Sequence, residues 1–222
     1  MNPPKGIKAL PNGQWVLVDD THISRWAEKH GQIISDPNLM DFLRPHLEKV
    51  DVIWDIGAFI GDHTRFYCDL KKLVIAVEPN PLAYACLEHN CPDARCFNIA
   101  ASDTKGILNF VKSPNAGASH LVDDPYGQVL AARIDDVVTT LPGYIKIDVE
   151  GWEMNALMGM ENTIHEAKPI VYIEVNRGAL RRAGADPQEI VDFFTGMGYT
   201  RFDVYPAKAK WGDPQFDLLI QP

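Results

Sequence analysis

The sequence predicts an α/β fold with a mostly parallel sheet and helices on both of its faces. Three observations carry that prediction. From Asp51 onward, short continuous apolar runs alternate with helical patterns, as strands buried on both faces alternate with crossover helices. The first of these runs, VIWDIG, ends in a glycine turn that leads into a helix. A length of 222 residues, with 46% hydrophobic and 23% charged side chains, suits one sizeable core.

Taken in order, GIKALPNGQWVLVDD places short apolar segments on either side of Asn12-Gly13. That dipeptide suits the positive φ angles of a two-residue hairpin turn, so a small N-terminal hairpin is predicted. Helices follow at Ile23–Lys29 and after Asp36-Pro37, where the aspartate can cap and the proline fits the first turn. Leu39, Phe42, Leu43 and Leu47 share a face of the second helix, and Pro45 is expected to kink or divide it. The strands of the main sheet are VIWDIG, KLVIAVEPN, ARCFNIAAS, YIKIDVE and PIVYIEVN. Asp186-Pro187-Gln188-Glu189 combines a cap, a first-turn proline and a capping-box glutamate, and Gly198 ends the helix that starts there. RFDVY and FDLLIQ form a final antiparallel pair.

Composition excludes several classes of function. The net charge of −9 would repel a polyanion, and Arg177, Arg181 and Arg182 read as a solvated helix face, so no nucleic acid partner is expected. Cys68, Cys86, Cys91 and Cys96 form no CxxC pair and read as reduced thiols. No apolar run approaches the roughly 20 residues that span a bilayer, and residues 1–20 lack a signal-like apolar stretch; no membrane insertion and a cytoplasmic location are expected.

The chemistry-bearing residues gather at the carboxyl ends of the strands. In WDIGAFIGDHT, Asp55, Gly57, Ala58, Gly61, His63 and Thr64 are candidate cofactor-binding residues, in a glycine turn that leads into a helix. Small residues there let backbone approach a ligand, and the helix offers unpaired N–H groups. The spacing is not GxGxxG, which sets aside a nicotinamide-dependent oxidoreductase. Glu78-Pro79-Asn80 ends the second strand, where a carboxylate can hold ribose hydroxyls. NIAASD places Ala101 and Ser102 where they could pack on adenine and Asp103 where it could accept from the exocyclic amine, although the same residues make good turn chemistry.

The densest polar cluster is KIDVEGWE. Lys146, Asp148 and Glu150 alternate with apolar residues and share one face of an extended segment, so they must be paired or used. Glu174, at the end of YIEVN, brings a further carboxylate to the same crevice. His120 lies in SPNAGASHL, a loop that could cover the site. Trp54 and Trp152 read as core or pocket wall.

With DIGAFIGDHT, AVEPNP, NIAAS, RIDDVV and YIKIDVEGWEMNALMG in view, the chain resembles the FkbM family of S-adenosylmethionine (SAM)-dependent methyltransferases from about Val52 to Tyr199. The resemblance implies a Rossmann-like class I methyltransferase with a seven-stranded sheet, SAM as cofactor, and methyl transfer to a hydroxyl oxygen of a sugar, glycan or polar small metabolite. On this reading residues 51–222 bind SAM. Residues 1–50, the N-terminal hairpin and helices, belong to the same domain and form its cap or acceptor region. Phe59 and Trp152 stand where smaller residues are common in the family. Removing the acceptor's proton then falls to Asp148, Glu150, Glu174 or the His120 imidazole, with Lys146 beside them. A divalent metal held by two or three of these acids is a possible but less favoured alternative. Protein methylation and a non-catalytic SAM-binding module are the other readings.

Overall fold

The computed structural model describes residues 2–33, 36–111, 120–122 and 127–222. At the N-terminus β1 (Ile7–Ala9) and β2 (Trp15–Leu17) pair antiparallel. Their connection covers residues 10–14 instead of two residues: Leu10 N–H donates to the Gln14 carbonyl and the Asn12 side chain accepts from Gln14 N–H. Two helices follow, α1 (Ile23–His30) and α2 (Pro37–Leu47), the second capped by the Asp36 carboxylate on Asn38 N–H at 2.9 Å. Pro45 lies inside α2 and removes the N–H that would bond to the Asp41 carbonyl, yet the helix runs through it to Leu47.

The alternating part of the chain is β3 (Val52–Ile56), α3 (Asp62–Asp69), β4 (Leu73–Val77), α4 (Pro81–Asn90) and β5 (Arg95–Phe97). After an insertion it resumes with α5 (Ile134–Val137), β10 (Tyr144–Ile147), α6 (Glu153–Met158), α7 (Glu161–Ala167), β11 (Ile170–Asn176), α8 (Arg177–Arg182) and α9 (Pro187–Gly196). The predicted final pair is β12 (Arg201–Tyr205) and β13 (Gln215–Gln221). Together the strands make a seven-stranded sheet in the order β12-β13-β11-β10-β3-β4-β5, parallel except around β13. The strand order reverses between β3 and β10, and the crevice at their carboxyl ends is where such sheets bind ligands.

Strand periodicity sends neighbouring residues to opposite layers. Ile53 and Tyr144 pack with Leu43, Leu47 and Tyr67 on one face, while Trp54 and Ile145 pack with Leu157, Ile164 and Phe194 on the other. The N-terminal hairpin belongs to a third cluster, in which Ile7, Trp15 and Val16 meet Phe59, Ile60 and Ala83. Asn90 fastens it, accepting from Trp15 N–H and donating to the Trp15 and Ile60 carbonyls.

One predicted strand is divided. Of ARCFNIAAS, Arg95–Phe97 joins the main sheet, whereas β6 (Ala100–Ala101) pairs with β9 (Gln128–Ala132) in a second sheet. The break falls at Asn98, whose amide donates to the Glu78 and Pro79 carbonyls. Antiparallel β7 (Gly106–Val111) and β8 (His120–Val122) complete this second sheet, in the order β6-β9-β7-β8. Among the described residues no helix is long and apolar enough to cross a membrane.

Candidate functional site

The turn after β3 is shaped by backbone. Gly57 has φ +82°, and a Cβ there would stand 1.8 Å from the Asp148 carbonyl oxygen. The glycine is therefore demanded by the close pass of the segment after β10, quite apart from any ligand. Gly61 (φ +91°) is crowded by the Cys91 Sγ, which a Cβ would meet at 2.6 Å. Gly57 and Ala58 N–H both donate to the Val77 carbonyl, and the Ala58 methyl packs with Ala76, Leu87 and Cys91 in the core. Beneath the turn, buried Thr64 donates its hydroxyl to buried Asp55 at 2.6 Å. His63 sits 3.7 Å from Asp62; burial, helped by Lys146, pushes its imidazole down to about 4, so it is neutral at pH 7.

Glu78 joins this turn to the next strand. Its two carboxylate oxygens accept from Phe59 N–H (2.9 Å) and Asn80 N–H (2.8 Å). Phe59 is held at φ +49°, a strained angle for a side chain with a Cβ, and Glu78 is its brace. Burial pushes the Glu78 carboxyl up to about 7 against those two hydrogen bonds. Half-buried Pro79 follows, and Asn80 spends its side chain capping α4 at Leu82 and Ala83 N–H. Ala101 and Ser102 are buried; Asp103 accepts from the Ser102 hydroxyl (3.1 Å) and from Asn155 of α6 (3.3 Å).

Across the crevice the carboxylates converge. Lys146 is 5% exposed, with its ammonium 3.2 Å from Asp148, 3.6 Å from Asp55 and donating to the Gly57 carbonyl at 3.1 Å. Burial works against that charge, yet Asp148 and Asp55 outweigh it and hold Lys146 above the usual lysine range. Burial is the largest influence on Asp148 and works to raise its carboxyl, but Lys146 and a hydrogen bond from Glu174 together outweigh it and hold that carboxyl below its ordinary value. Asp148, Glu150 and Glu174 offer one oxygen each, all within 4.8 Å of one another. The predicted alternation does not continue to Glu150, which turns to φ +55° and reaches the cluster by folding back. Burial first, and then Asp148, pushes Glu150 up to about 7.

Two polar partners on β13 were not anticipated from the sequence. Gln215 donates to Glu174 at 2.7 Å, and Asp217, opposite Glu174 in the ladder, accepts from the Tyr172 hydroxyl at 2.6 Å. Their signal was present in QFDLLIQ, where Gln215 and Asp217 flank Phe216 with the same alternation as Lys146 and Asp148 about Ile147. The RIDDVV block also gains a physical role. Arg133 donates to the Asp103 carbonyl, and Asp135 accepts from Asn162 and Thr163 N–H at the start of α7. The side chain of His120, and with it Asn115, Gly117 and Ser119 of the same loop, lies outside the described residues.

Comparison with known proteins agrees with this layout. Residues 55–201 match the model of the methyltransferase FkbM domain. The hexuronic acid methyltransferase AglP of Haloferax volcanii is 29% identical over 165 residues, which cover 70% of this chain and 66% of AglP. A crystal structure of methyltransferase FkbM from Methylobacillus flagellatus superposes with a TM-score of 0.50 at 18% identity, over 76% of this chain and 43% of that one. The chain thus spans just under two thirds of the curated relative and less than half of the Methylobacillus protein. A TehB-like SAM-dependent methyltransferase from Corynebacterium glutamicum matches at TM-score 0.53 and 14% identity, over 89% of this chain and 92% of that one. These solved structures share the class I methyltransferase fold. With its family model matched from Asp55 through the glycine turn, Glu78 and the acidic strand end to Arg201, the chain belongs to the FkbM methyltransferase family.

Proposed function

We propose that this chain is a SAM-dependent methyltransferase that methylates a hydroxyl oxygen of a sugar, glycan or comparably polar small molecule. The observation that carries this reading is the meeting, at one sheet edge, of a glycine turn braced by buried Glu78 with the carboxylates of Asp148 and Glu174. A nucleoside fits the first part. The Glu78 oxygens each accept one backbone N–H and keep lone pairs for ribose hydroxyls, and Ser102 and Asp103 lie at the next strand end. The name of AglP, a hexuronic acid methyltransferase, supports a sugar acceptor.

When bound, SAM supplies a methyl group already activated by its sulfonium. The protein's own work is then to align the acceptor oxygen and receive its proton. Asp148 is suited to the second task, since Lys146 keeps it ionised at neutral pH. Glu150 and Glu174 supply further acceptors for a polyhydroxylated ligand. Residues 1–50 form the acceptor side of the same domain. A cavity of about 420 Å³ lies between this segment and α3, lined in part by Met40, Arg44, Asp62, Arg65 and Phe66 and by none of Glu78, Asp148, Glu150 and Glu174. The three acids also fit a divalent cation by donor type, but Lys146 already neutralises the one that is most strongly ionised.

The test uses labelled SAM with separate pools of glycans, small metabolites, peptides and nucleic acid. Label on oxygen in the glycan or metabolite pool is expected. Label confined to peptide or nucleic acid, or found on nitrogen, overturns the acceptor class; tight SAM binding with no turnover in any pool overturns catalysis.

A further inference from the structure

We propose that Asp148 and Glu174 form a one-proton carboxyl pair, with the charge on Asp148 and the proton on Glu174, and that Gln215 is the positioning residue that aims the Glu174 O–H at Asp148. The catalytic consequence rests on the methyl-transfer reading; the pair itself does not.

The geometry begins in the sheet. β10 and β11 run parallel with Lys146 beside Tyr172 and Ile147 beside Ile173, so the next register position sets Asp148 beside Glu174. Their oxygens fall within the same 4.8 Å cluster, and two adjacent half-buried carboxylates do not both ionise at neutral pH. The surroundings decide which one keeps the proton. Asp148 has the Lys146 ammonium at 3.2 Å, whereas Glu174 faces acids: Asp148 and Glu150 from the β10 side and Asp217 from β13. Arg182, a further cation, acts on Glu150. The charge of Asp148, followed by burial, pushes Glu174 up to about 10, and burial pushes Asp217 up to about 6.

Gln215 breaks the symmetry of the Glu174 carboxyl. Its amide donates to Oε1 at 2.7 Å, which fixes that oxygen as an acceptor and leaves the proton on Oε2. In the reaction, the acceptor O–H bond breaks and an O–H bond forms on Asp148. The electron pair left on the acceptor oxygen makes the new O–CH₃ bond as the donor's S–CH₃ bond breaks onto sulfur, giving a neutral thioether. Asp148 then returns its proton to solvent, while Glu174 keeps its own throughout. A divalent cation on the same oxygens would require both acids ionised, so the two arrangements exclude each other.

Infrared difference spectroscopy of the full, unliganded chain tests the pair without turnover. At a pH of about 8.5, Glu78, Glu150 and Glu153, each near 7, are ionised, and a protonated-carboxyl band from Glu174 is expected to remain. It should vanish in Glu174→Gln and also in Asp148→Asn, where the charge that raises Glu174 is gone. A wild-type spectrum from which Glu174→Gln removes no such band overturns the pair.

Turnover adds a second arm. Asp148→Asn should lower kcat more than about 100-fold. Glu174→Gln, whose amide can still accept from Gln215 and donate to Asp148, should cost less than about tenfold. Equal collapse of both variants, with Mg²⁺ alone binding the wild type in calorimetry, overturns the proposal in favour of a cation. Gln215→Leu should lower kcat with SAM affinity kept and move the alkaline limb of the pH profile upward, because a lost donor raises a carboxyl pKa. An unmoved limb removes Gln215 from the mechanism. A band that behaves as expected in an enzyme that methylates nothing supports the pair and sinks only the methyl-transfer reading.

Discussion

The glycine turn after β3 and the acidic strand end after β10 are neighbours at one sheet edge, and Lys146 touches both, donating to the Gly57 carbonyl and pairing with Asp55 and Asp148. The turn is made of backbone: positive φ angles, N–H groups spent on Val77 and Glu78, and small residues that clear space for other parts of the protein. The strand end is made of side chains whose charges set one another's protonation. Substitutions should accordingly damage folding at the first and proton chemistry at the second. The largest effect is expected at Gly57→Ala, which combines a φ of +82° with a Cβ 1.8 Å from the Asp148 carbonyl oxygen. A loss of about 3 kcal/mol or more, or failure to fold, is expected in urea melts. A fully stable Gly57→Ala protein would mean that the two segments do not pass so closely.

Next in size is a pH effect from Glu153, which borders the acidic strand end and is 2% exposed. Burial is the main cause that pushes its carboxyl up to about 7 from an ordinary value of 4.5. The folded state therefore favours the protonated acid. Its contribution is fully present below the unfolded value and is lost as pH rises through about 7. Glu153→Gln, which cannot ionise, should gain about 2–3 kcal/mol relative to wild type between pH 4.5 and pH 8, read from Tm against pH. Parallel curves for the two proteins would show that Glu153 does not titrate with folding.

At the join of the two regions, Glu78→Ala should weaken SAM binding about tenfold or more, since hydrogen bonds to a charged group contribute roughly 1.5–3 kcal/mol each. The variant also loses the brace on Phe59, so circular dichroism must confirm a folded protein before calorimetry is read. Unchanged affinity in a folded variant would leave Glu78 a purely structural brace and move the ribose elsewhere.

These contrasts also explain what could be read from the sequence. The main strands and their helices were legible because strands buried on both faces leave unbroken apolar runs, and Asp36 and Asp186 cap the helices that their types and positions announce. The second sheet was not, since Ile107 and Leu130 are 62% exposed and blur the alternation that marks a half-buried strand. Gly57 was visible as a glycine that matters, but not the Asp148 carbonyl it makes room for, because that contact spans the switch point of the sheet. Gln215 was missed for the same reason. It meets Glu174 only because β13, whose pairing with β12 was legible, also pairs antiparallel with β11, which no local pattern records.

The smallest expected effect concerns a block whose residues read as diagnostic yet whose contacts here are mechanical. Asp135 accepts from Asn162 and Thr163 N–H at 3.0 Å each, at the start of α7, from a helix distant in sequence. It also lies 3.4 Å from Arg133, which reaches the Asp103 carbonyl. This chain of contacts ties the turn at Asp103 to α7 without placing Asp135 among the acids of the crevice. Removing the cap with Asp135→Ala should cost about 1 kcal/mol of stability, whereas Asp135→Asn, which keeps a side-chain acceptor, should cost appreciably less. Neither variant should change kcat beyond what partial unfolding explains. If Asp135→Asn instead lost turnover while its melting curve matched the wild type, the negative charge would matter beyond capping, and the proton chemistry assigned to the β10 end would extend through Asp103 to this bracket.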